Sequence, residues 1–538
     1  MAQHNEIEFE REICEHLTAH GWLYSTNDSG YDRELALLPE DVFGWLADTQ
    51  PEQLAKHLKP DLAGSSLETA KHGVLQALAK TLDADPAKDG GTLSVLRRGF
   101  KHINAQFSMC QFAPNTTLNA TTAEKYTKVR LRVMRQVHYS TSCNNSIDLV
   151  FFVNGLPVAT AELKTDFTQN ITDAVLQYKN NRLPKGEPLL AFGSRALVHF
   201  AVSNSEVEMS TKLAGTSTVF LPFNRGNSHH KGNPANPEGS PTAYLWETIL
   251  QRDTWLDILG RFMHLENRDS VDPITGKKSR KKTMLFPRYH QWEVVTRLVE
   301  AARAEGPGHK YLIQHSAGSG KTNSISWLAH RLSGLHNATD EKVFDSVIVV
   351  TDRTVLDSQL QEAIKQIDKV HGVVAHIDGL GGSKSQLLAD ALAARTPIII
   401  VTIQTFPHAL EAIADRTELA SRSFAIIADE AHSSQAGEAS KRLKDVLSSG
   451  ELAELADGGS YDTQDVMAAQ MTARASTPNV SFFAFTATPK GKTLELFGRP
   501  GPDGLPAPFH LYSMQQAIEE GFILDVRTNY TPYKTAFR

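Results

Sequence analysis

The sequence has 538 residues, a formal net charge of −6 and three cysteines. At roughly 150 residues per hydrophobic core, a chain of this length is expected to form about two to four domains. Its 41% hydrophobic and 22% charged residues are typical of globular proteins, and no run approaches the ~20 apolar residues of a membrane span. The composition therefore excludes a fibrous, disordered or membrane-spanning chain and predicts a cytoplasmic protein with reduced cysteines.

The first part of the chain changes from a helical to a strand periodicity. Phe9, Ile13 and Leu17 recur at the spacing of a helix that ends near Gly21. From about residue 128, short β-branched runs appear, and Asn154-Gly155 is a hairpin signal between two of them. We therefore expect an α/β domain over residues 1–241, with a mixed sheet flanked by helices.

Two carboxylates and a lysine flank this hairpin. Asp148 opens one strand, and Glu162 and Lys164 end the next strand on a shared face, because alternate residues of a strand point the same way. Carboxylates bind one or two magnesium ions, and the bound ion lowers the pKa of a water molecule. The lysine can orient that water or stabilise the charge that develops on the phosphorane. The pattern predicts a metal-dependent site that attacks phosphodiesters.

The length of the hairpin loop decides whether the two carboxylates meet. A two-residue turn at Asn154-Gly155 pairs Asp148 with Ala161, so that Asp148 points away from Glu162. A three-residue loop pairs Asp148 with Glu162, at roughly 4.5–5.5 Å between the Cβ atoms. We therefore predict the three-residue loop, with its glycine or a neighbouring residue at positive φ.

Residues 242–285 are predicted to be a bridging helix and a basic linker. Trp246, Trp255 and Phe262 have helical spacing, which predicts an amphipathic helix whose aromatic residues lie in a core. The densest basic run of the chain follows at residues 277–282, and a solvated linker and a phosphate contact explain it equally well. Because the net charge is negative, a nucleic acid must be held by a local basic groove.

Residues 286–526 alternate apolar strands with helices, which predicts a parallel sheet buried on both faces. The loop from His315 to Thr322 follows one of these strands and opens a helix. Glycines in such a loop let successive backbone N–H groups surround phosphates. Lys321 would neutralise the β- and γ-phosphates of ATP, and Thr322 would hold Mg²⁺. The remaining phosphate-binding residues of the loop are Gly318, Ser319 and Gly320.

A second strand of this region ends in Asp429 and Glu430. Ligands of open α/β sheets bind at the carboxyl ends of the strands, so these acids are expected beside the phosphate loop. Asp429 would coordinate magnesium, commonly through water, and Glu430 would orient or activate the attacking water.

These segments, taken in order, resemble the motifs of superfamily 2 helicases, whose motor domains are RecA-like. The motifs are Phe286 to Gln291, the phosphate loop, Val349 to Arg353, Thr402 to Thr405, Asp-Glu-Ala-His at 429–432 and Thr486 to Thr488. The resemblance implies that Gln291 reads the adenine edge. It also implies that Thr351, Arg353 and Thr405 lie near the DNA backbone. Thr486 and Thr488 are implied to couple the state of the bound nucleotide to the strength of DNA binding. His315 stands where the strict phosphate-loop pattern has its first glycine, and many superfamily 2 helicases also depart from that pattern at this position.

The hairpin residues Asp148, Glu162 and Lys164 resemble the PD-(D/E)xK nucleases, although Ile147 replaces the namesake proline. A role for Gln177 or Tyr178 is implied by a Gln-x-x-x-Tyr motif of such nucleases, whose tyrosine position is Asn181 here. Glu10 on the first helix is a further candidate for approaching the metal.

Nuclease and motor together resemble the R (restriction and motor) subunit of type I restriction-modification enzymes, the HsdR family, over residues 6–526. This resemblance implies ATP-dependent translocation on double-stranded DNA and magnesium-dependent cleavage. It also implies methylation (M) and specificity (S) subunits as partners, with S-adenosylmethionine bound by the partner subunits.

A superfamily 2 motor closes over ATP with a second RecA-like domain, and residues 527–538 fit only the start of one. We therefore expect these 538 residues alone to bind nucleotide weakly and to hydrolyse it poorly. Two other interpretations stay open: a single-chain repair or phage-defence helicase-nuclease, and a catalytically idle binding or assembly module. Substitution of Glu162 or Lys164 separates the nuclease from the idle module.

Overall fold

In a computed structural model the chain divides into two compact units. Unit 1 comprises Met1–Asn227 and Gly232–Tyr289, and unit 2 comprises Ser228–Lys231 and His290–Arg538. The structure describes residues 2–166, 169–271, 276, 278–351, 354–367, 373–377, 383–402, 405, 406, 409, 413, 419, 421–429 and 478–524. Residues 242–285, expected as a bridge, cluster with unit 1. No helix in these described parts is long and apolar enough to cross a membrane.

Unit 1 is built on a mixed sheet that has seven strands within the described residues, in the order β1-β4-β5-β6-β7-β8-β9. The strands of unit 1, including those of two small hairpins, are β1 (Leu23–Ser25), β2 (Phe100–His102), β3 (Ala105–Phe107), β4 (Leu131–His138), β5 (Ser146–Val153), β6 (Leu156–Leu163), β7 (Val198–Val202), β8 (Val207–Ser210), β9 (Leu221–Pro222), β10 (His264–Val271) and β11 (Lys278–Leu285). The central strands β4, β5 and β6 are antiparallel, whereas β6 and β7 run parallel.

Helices surround this sheet. They are α1 (Ala2–Ala19), α2 (Pro39–Thr49), α3 (Pro51–Ala55), α4 (Gly64–Leu82), a 3-10 turn (Pro86–Lys88), α5 (Gly91–Arg98), α6 (Ala120–Thr127), α7 (Ile171–Asn181) and α8 (Arg252–Asp257). Helix α1 buries Phe9, Ile13 and Leu17, as their spacing predicts. Helix α7 contributes Tyr178 to the core that Val150 and Phe152 of β5 form.

The predicted helix around Trp246 and Trp255 is not continuous. It is divided into a π-helical turn (Leu245–Ile249), α8 and a second π-helical turn (Ile258–Phe262). Gln251 causes the first break, because its ψ of 140° is extended and not helical. Both tryptophans are nevertheless buried, as predicted.

Unit 2 contains a parallel sheet with seven strands among the described residues, in the order β14-β15-β13-β16-β17-β12-β20. The strands of unit 2 are β12 (Lys310–His315), β13 (Ser346–Thr351), β14 (Val374–His376), β15 (Ile398–Thr402), β16 (Phe424–Asp429), β17 (Val480–Thr486), β18 (Arg499–Pro500), β19 (Pro506–Ala507) and β20 (His510–Tyr512). Its helices are α9 (Tyr289–Glu305), α10 (Lys321–Ser333), α11 (Thr354–Ile367), α12 (Lys384–Ala393), α13 (Gly491–Phe497) and α14 (Met514–Glu519). The predicted parallel sheet is confirmed, and β13 and β15 are buried along their whole length.

Candidate functional sites

The hairpin between β5 and β6 has a two-residue turn, so the predicted three-residue loop is wrong. Val153 pairs with Leu156, and Asn154 and Gly155 take φ values of 50° and 81°. Two successive left-handed residues form the turn whose twist matches the strands. The Asn154 side chain accepts a hydrogen bond from Arg130 N and donates one to Met109 O, which stabilises this turn.

A β-bulge then shifts the register of the hairpin. Val158 is the inserted residue, because Phe152 pairs with Pro157 whereas Phe151 pairs with Ala159. Beyond the bulge Leu149 pairs with Ala161, and the same register places Asp148 across from Glu162. The two carboxylates therefore share one face of the sheet, as the metal-site hypothesis requires. A two-residue turn followed by a bulge produces this register, and not the three-residue loop that was predicted.

Glu162 is fully buried on β6. Its Oε1 accepts a hydrogen bond of 2.6 Å from Arg182 Nε, whereas its Oε2 has no hydrogen-bond partner in the described part of the chain. Burial and the neighbouring Asp148 raise the pKa of Glu162 well above its usual range, against the opposing effect of Arg182. A buried carboxylate oxygen without a partner is unfavourable, and a bound cation would satisfy it.

Asp148 and Lys164 line a polar cleft of about 600 Å³. Asp148 Oδ2 accepts a hydrogen bond of 2.8 Å from Leu163 N. Lys164 Nζ donates to Glu6 Oε1 at 2.7 Å and to Leu163 O at 2.9 Å. The other residues that line the cleft are mostly amides: Asn144, Asn145, Ser146, Gln169, Asp173, Leu176, Gln177, Asn180, Asn181 and Arg182.

The donor set fits a magnesium ion in an open site. Across the described residues, no three histidine, cysteine, aspartate or glutamate side chains form a closed metal cage. Mg²⁺ does not require one, because it commonly takes one or two carboxylates and completes its shell with water and substrate phosphates. Asp148 and Glu162, with the unpartnered Oε2, are the residues that would hold it.

The accessory candidates of the nuclease site separate into two groups. Gln177 lines the cleft, but Tyr178 lies on the core side of α7, where its hydroxyl is 2.8 Å from Thr160 Oγ1. The expected role of Tyr178 in the cleft is therefore not supported by its position. Glu10 of α1 is buried, and Gln136 Nε2 donates to both Glu10 Oε2 and Asp148 Oδ1. Burial raises the pKa of Glu10, although Arg135 opposes the shift.

Two residues of this region were given no role in the site by sequence reasoning. Arg182 follows the last turn of α7, and Gln136 lies on β4. Neither stands in a recognisable spacing from the carboxylates, and the contacts with Glu162 and Asp148 arise only in the folded sheet.

The phosphate loop of unit 2 joins β12 to α10. Gly318 and Gly320 take φ values of 75° and 77°, which favour glycine. Gln291 Nε2 donates to Ser319 O at 3.2 Å and to Gly320 O at 3.1 Å, so Gln291 lies directly against the loop. Lys321 Nζ donates to His315 O at 3.3 Å, within the loop. Thr322 follows Lys321 in the first turn of α10.

The strand order brings the other motor residues to the same edge of the sheet. Strand β17 lies between β12 and β16, so Thr486 ends the strand beside the one that leads into the phosphate loop, and Asp429 ends the next strand along. Thr488 N donates to Thr486 Oγ1. At the end of β15, Thr405 Oγ1 is 3.1 Å from Thr402 Oγ1. Glu430 and Arg353 lie outside the described residues.

His315, which replaces the first glycine of the strict phosphate-loop pattern, is a core residue. Its Nε2 is 2.8 Å from His510 Nδ1, and His510 Nε2 is 3.1 Å from Glu293 Oε2. Burial, with the neighbouring His510, lowers the pKa of His315 well below its usual range. A neutral histidine therefore packs where the strict phosphate-loop pattern has glycine.

Comparison with known proteins connects both units to one enzyme. The family model described as "Type I restriction enzyme R protein N terminus" matches residues 3–218, and that of the "SWI2/SNF2 ATPase" matches residues 290–536. The type I restriction enzyme HindI endonuclease subunit of Haemophilus influenzae is 23% identical in an alignment 536 residues long, which covers 96% of this chain and 45% of that protein.

Other relatives carry similar names. The type I restriction enzyme SauCOLORF180P endonuclease subunit of Staphylococcus aureus strain COL is 22% identical over 76% of this chain and 37% of its own length. A putative type I restriction enzyme endonuclease subunit of Methanocaldococcus jannaschii is 24% identical over 40% of this chain and 19% of its own length. This chain thus spans less than half the length of these relatives. With the R-protein N terminus followed by an ATPase domain, the chain belongs to the R-subunit (HsdR) family of type I restriction enzymes.

Proposed function

We propose that this chain provides magnesium-dependent double-strand DNA cleavage and ATP-dependent DNA translocation in a type I restriction enzyme. In this proposal unit 1 has the PD-(D/E)xK nuclease fold and unit 2 is the first RecA-like motor domain. The observation that carries the nuclease proposal is the bulged hairpin, which brings Asp148 and Glu162 to one face with Lys164 in the adjoining cleft.

Each nuclease residue has a role that follows from its contacts. Asp148 and Glu162 would hold Mg²⁺, which when bound lowers the pKa of a water molecule and polarises the scissile phosphate. Lys164 donates through Nζ, which is held by Glu6, and can orient the water or stabilise charge on the phosphorane. Arg182 compensates the buried charge of Glu162.

The motor site follows from the phosphate loop and the edge of the parallel sheet. Backbone N–H groups of Gly318, Ser319 and Gly320 would surround the phosphates of ATP, and Lys321 would neutralise them. Thr322 and Asp429 would hold Mg²⁺, with Glu430 activating the attacking water.

The proposal also includes the partner subunits and the motor residues that the family resemblance implies. Methylation and specificity subunits would supply site recognition and bind S-adenosylmethionine, and Gln291, Thr351, Arg353, Thr405, Thr486 and Thr488 would link ATP to double-stranded DNA. The phosphate-loop contacts of Gln291 support a position beside the nucleotide.

The nuclease proposal is tested in a complex reconstituted with methylation and specificity subunits. The assay contains a plasmid with the recognised site, ATP, MgCl₂ and S-adenosylmethionine, and it measures linear product and released phosphate separately. We expect Glu162→Gln and Lys164→Met to abolish cleavage and to leave ATP hydrolysis near the wild-type rate. Glu208→Gln, which changes a half-buried carboxylate on β8 of the same sheet, is the matched control and should retain both activities.

Cleavage and ATP hydrolysis, measured separately, show whether the nuclease assignment is wrong or the variants have damaged the fold. Linear product at the wild-type rate from Glu162→Gln would refute the nuclease assignment. Loss of both activities in Glu208→Gln would show that the assay reports damage to the sheet. Lys321→Ala should abolish ATP hydrolysis, and cleavage with it if cleavage depends on translocation.

A further inference from the structure

Gln136 has an unusual backbone conformation in the middle of strand β4. Its φ is 48°, a left-handed value that non-glycine residues rarely adopt. The pairing of β4 with β5 nevertheless continues in one register on both sides, with Arg135 opposite Leu149 and Val137 opposite Ile147. Such outliers are unfavourable and persist only where surrounding contacts hold them. The hydrogen bonds of the Gln136 side chain show which contacts hold its backbone in this conformation.

The turned backbone directs two neighbouring side chains to one carboxylate. In a regular strand, adjacent residues point to opposite faces. Here Arg135 Nε donates to Glu10 Oε1, and Gln136 Nε2 donates to Glu10 Oε2 at 3.2 Å. The positive φ of Gln136 accounts for this departure from alternation.

The same carboxamide also contacts the candidate metal ligand. Gln136 Nε2 donates to Asp148 Oδ1 at 3.3 Å, and Gln136 Oε1 accepts from Ser146 Oγ at 2.9 Å. The orientation of the amide follows from this network, because its oxygen would otherwise face two carboxylates. Leu163 N holds the other oxygen of Asp148. Asp148 is therefore held from β4 on one side and from β6 on the other.

We propose that Gln136 is a positioning residue that fixes the Asp148 carboxylate for Mg²⁺ and links it to Glu10. The inference rests on the proposed nuclease function. Each amide hydrogen of Nε2 can serve one carboxylate, so the repulsion between Glu10 and Asp148 is reduced while lone pairs of Asp148 stay available to a cation. Loss of a residue that orients a metal ligand typically weakens metal affinity by about 10–100-fold.

The experiment measures metal binding to the 538-residue chain by isothermal titration with MnCl₂ and with MgCl₂. We expect Gln136→Met, which keeps the length of the side chain but removes its hydrogen bonds, to raise the metal Kd by about 10–100-fold. In the reconstituted complex, excess metal should restore much of the lost cleavage. Gln106→Met, an exposed glutamine on β3 of the same unit, is the matched control and should bind metal like the wild type.

A second pair of variants separates the side chain from the backbone. Glycine tolerates the left-handed φ and alanine does not, so Gln136→Gly should unfold at a higher temperature than Gln136→Ala. Both should lose metal affinity equally. If Gln136 served only the backbone, Gln136→Gly would bind metal like the wild type, and that result would overturn the inference.

The outcomes distinguish the inference from the function on which it rests. If Asp148→Ala abolishes metal binding while Gln136→Met binds like the wild type, Gln136 does not position the ligand and the inference is wrong. If the wild-type chain binds no metal that depends on Asp148, the proposed nuclease function fails, and the role of Gln136 fails with it.

Discussion

The buried ion pair between Arg182 and Glu162 predicts a stability change of defined size. The two atoms Nε and Oε1 are 2.6 Å apart, and the side chains are only 6% and 0% exposed. Removal of one partner of such a pair leaves an uncompensated buried charge, which costs about 3–5 kcal/mol. We therefore expect Arg182→Met to lower the free energy of unfolding of unit 1 by about that amount at neutral pH.

The loss should depend on pH with a definite sign. Burial and Asp148 raise the pKa of Glu162 in the folded state above its ordinary value of about 4.5. Between these two values the folded state binds more protons than the unfolded state, so stability falls as pH rises through the window. Arg182 lowers this pKa, and its removal extends the window upward. The deficit of Arg182→Met should therefore be smallest below about pH 4.5 and should grow as pH rises.

The assay is urea unfolding of the 538-residue chain at several pH values. Tryptophan fluorescence follows the transitions, and hydrogen exchange of peptides from β5 and β6 assigns one of them to unit 1. In the Arg182→Met background, Glu162→Gln should recover much of the stability and remove the added pH dependence. An equal deficit at every pH, with no recovery in the double variant, would refute the reasoning.

Three further predictions concern the bulge and the phosphate loop. Deletion of Val158 should remove the bulge and leave a regular hairpin in which Asp148 stays opposite Glu162, so a folded variant should bind metal like the wild type; loss of metal binding in such a variant would contradict this account of the register. Gly320→Ala places a Cβ against the end of the Gln291 side chain at a φ of 77°, so Gln291 must leave the loop, and a fluorescent ATP analogue should bind about tenfold more weakly, since a left-handed alanine costs about 1–2 kcal/mol. Gly504→Ala has the same φ with open space and is its control; equal losses in both would point to general strain. Lys321→Ala should weaken analogue binding without changing metal binding in unit 1, and a change in both would argue against separate sites.

The features that sequence periodicity encodes were predicted well. The spacing of Phe9, Ile13 and Leu17 reflects one buried face of α1, and the apolar runs of β13 and β15 reflect burial on both faces. The hairpin at Asn154-Gly155 was also predicted, but its two-residue turn was not, because the three-residue loop was chosen to place Asp148 opposite Glu162.

The features that depend on the folded environment were not predictable. Val158 forms the bulge, but valine is an ordinary strand residue and marks no irregularity. The positive φ of Gln136 is held by Glu10 and Asp148, which are distant in sequence. Gln251 breaks the expected helix through an extended ψ that its residue type does not signal. In the case of Gln136, tertiary contacts override a local preference.

The central claim is that Asp148 and Glu162 hold one divalent cation between β5 and β6. Anomalous diffraction from crystals of this chain soaked in MnCl₂ measures this directly. We predict a manganese peak bonded to carboxylate oxygens of both residues, absent in crystals of Glu162→Gln. A peak that touches neither carboxylate, or one that is unchanged in Glu162→Gln, would contradict the claim.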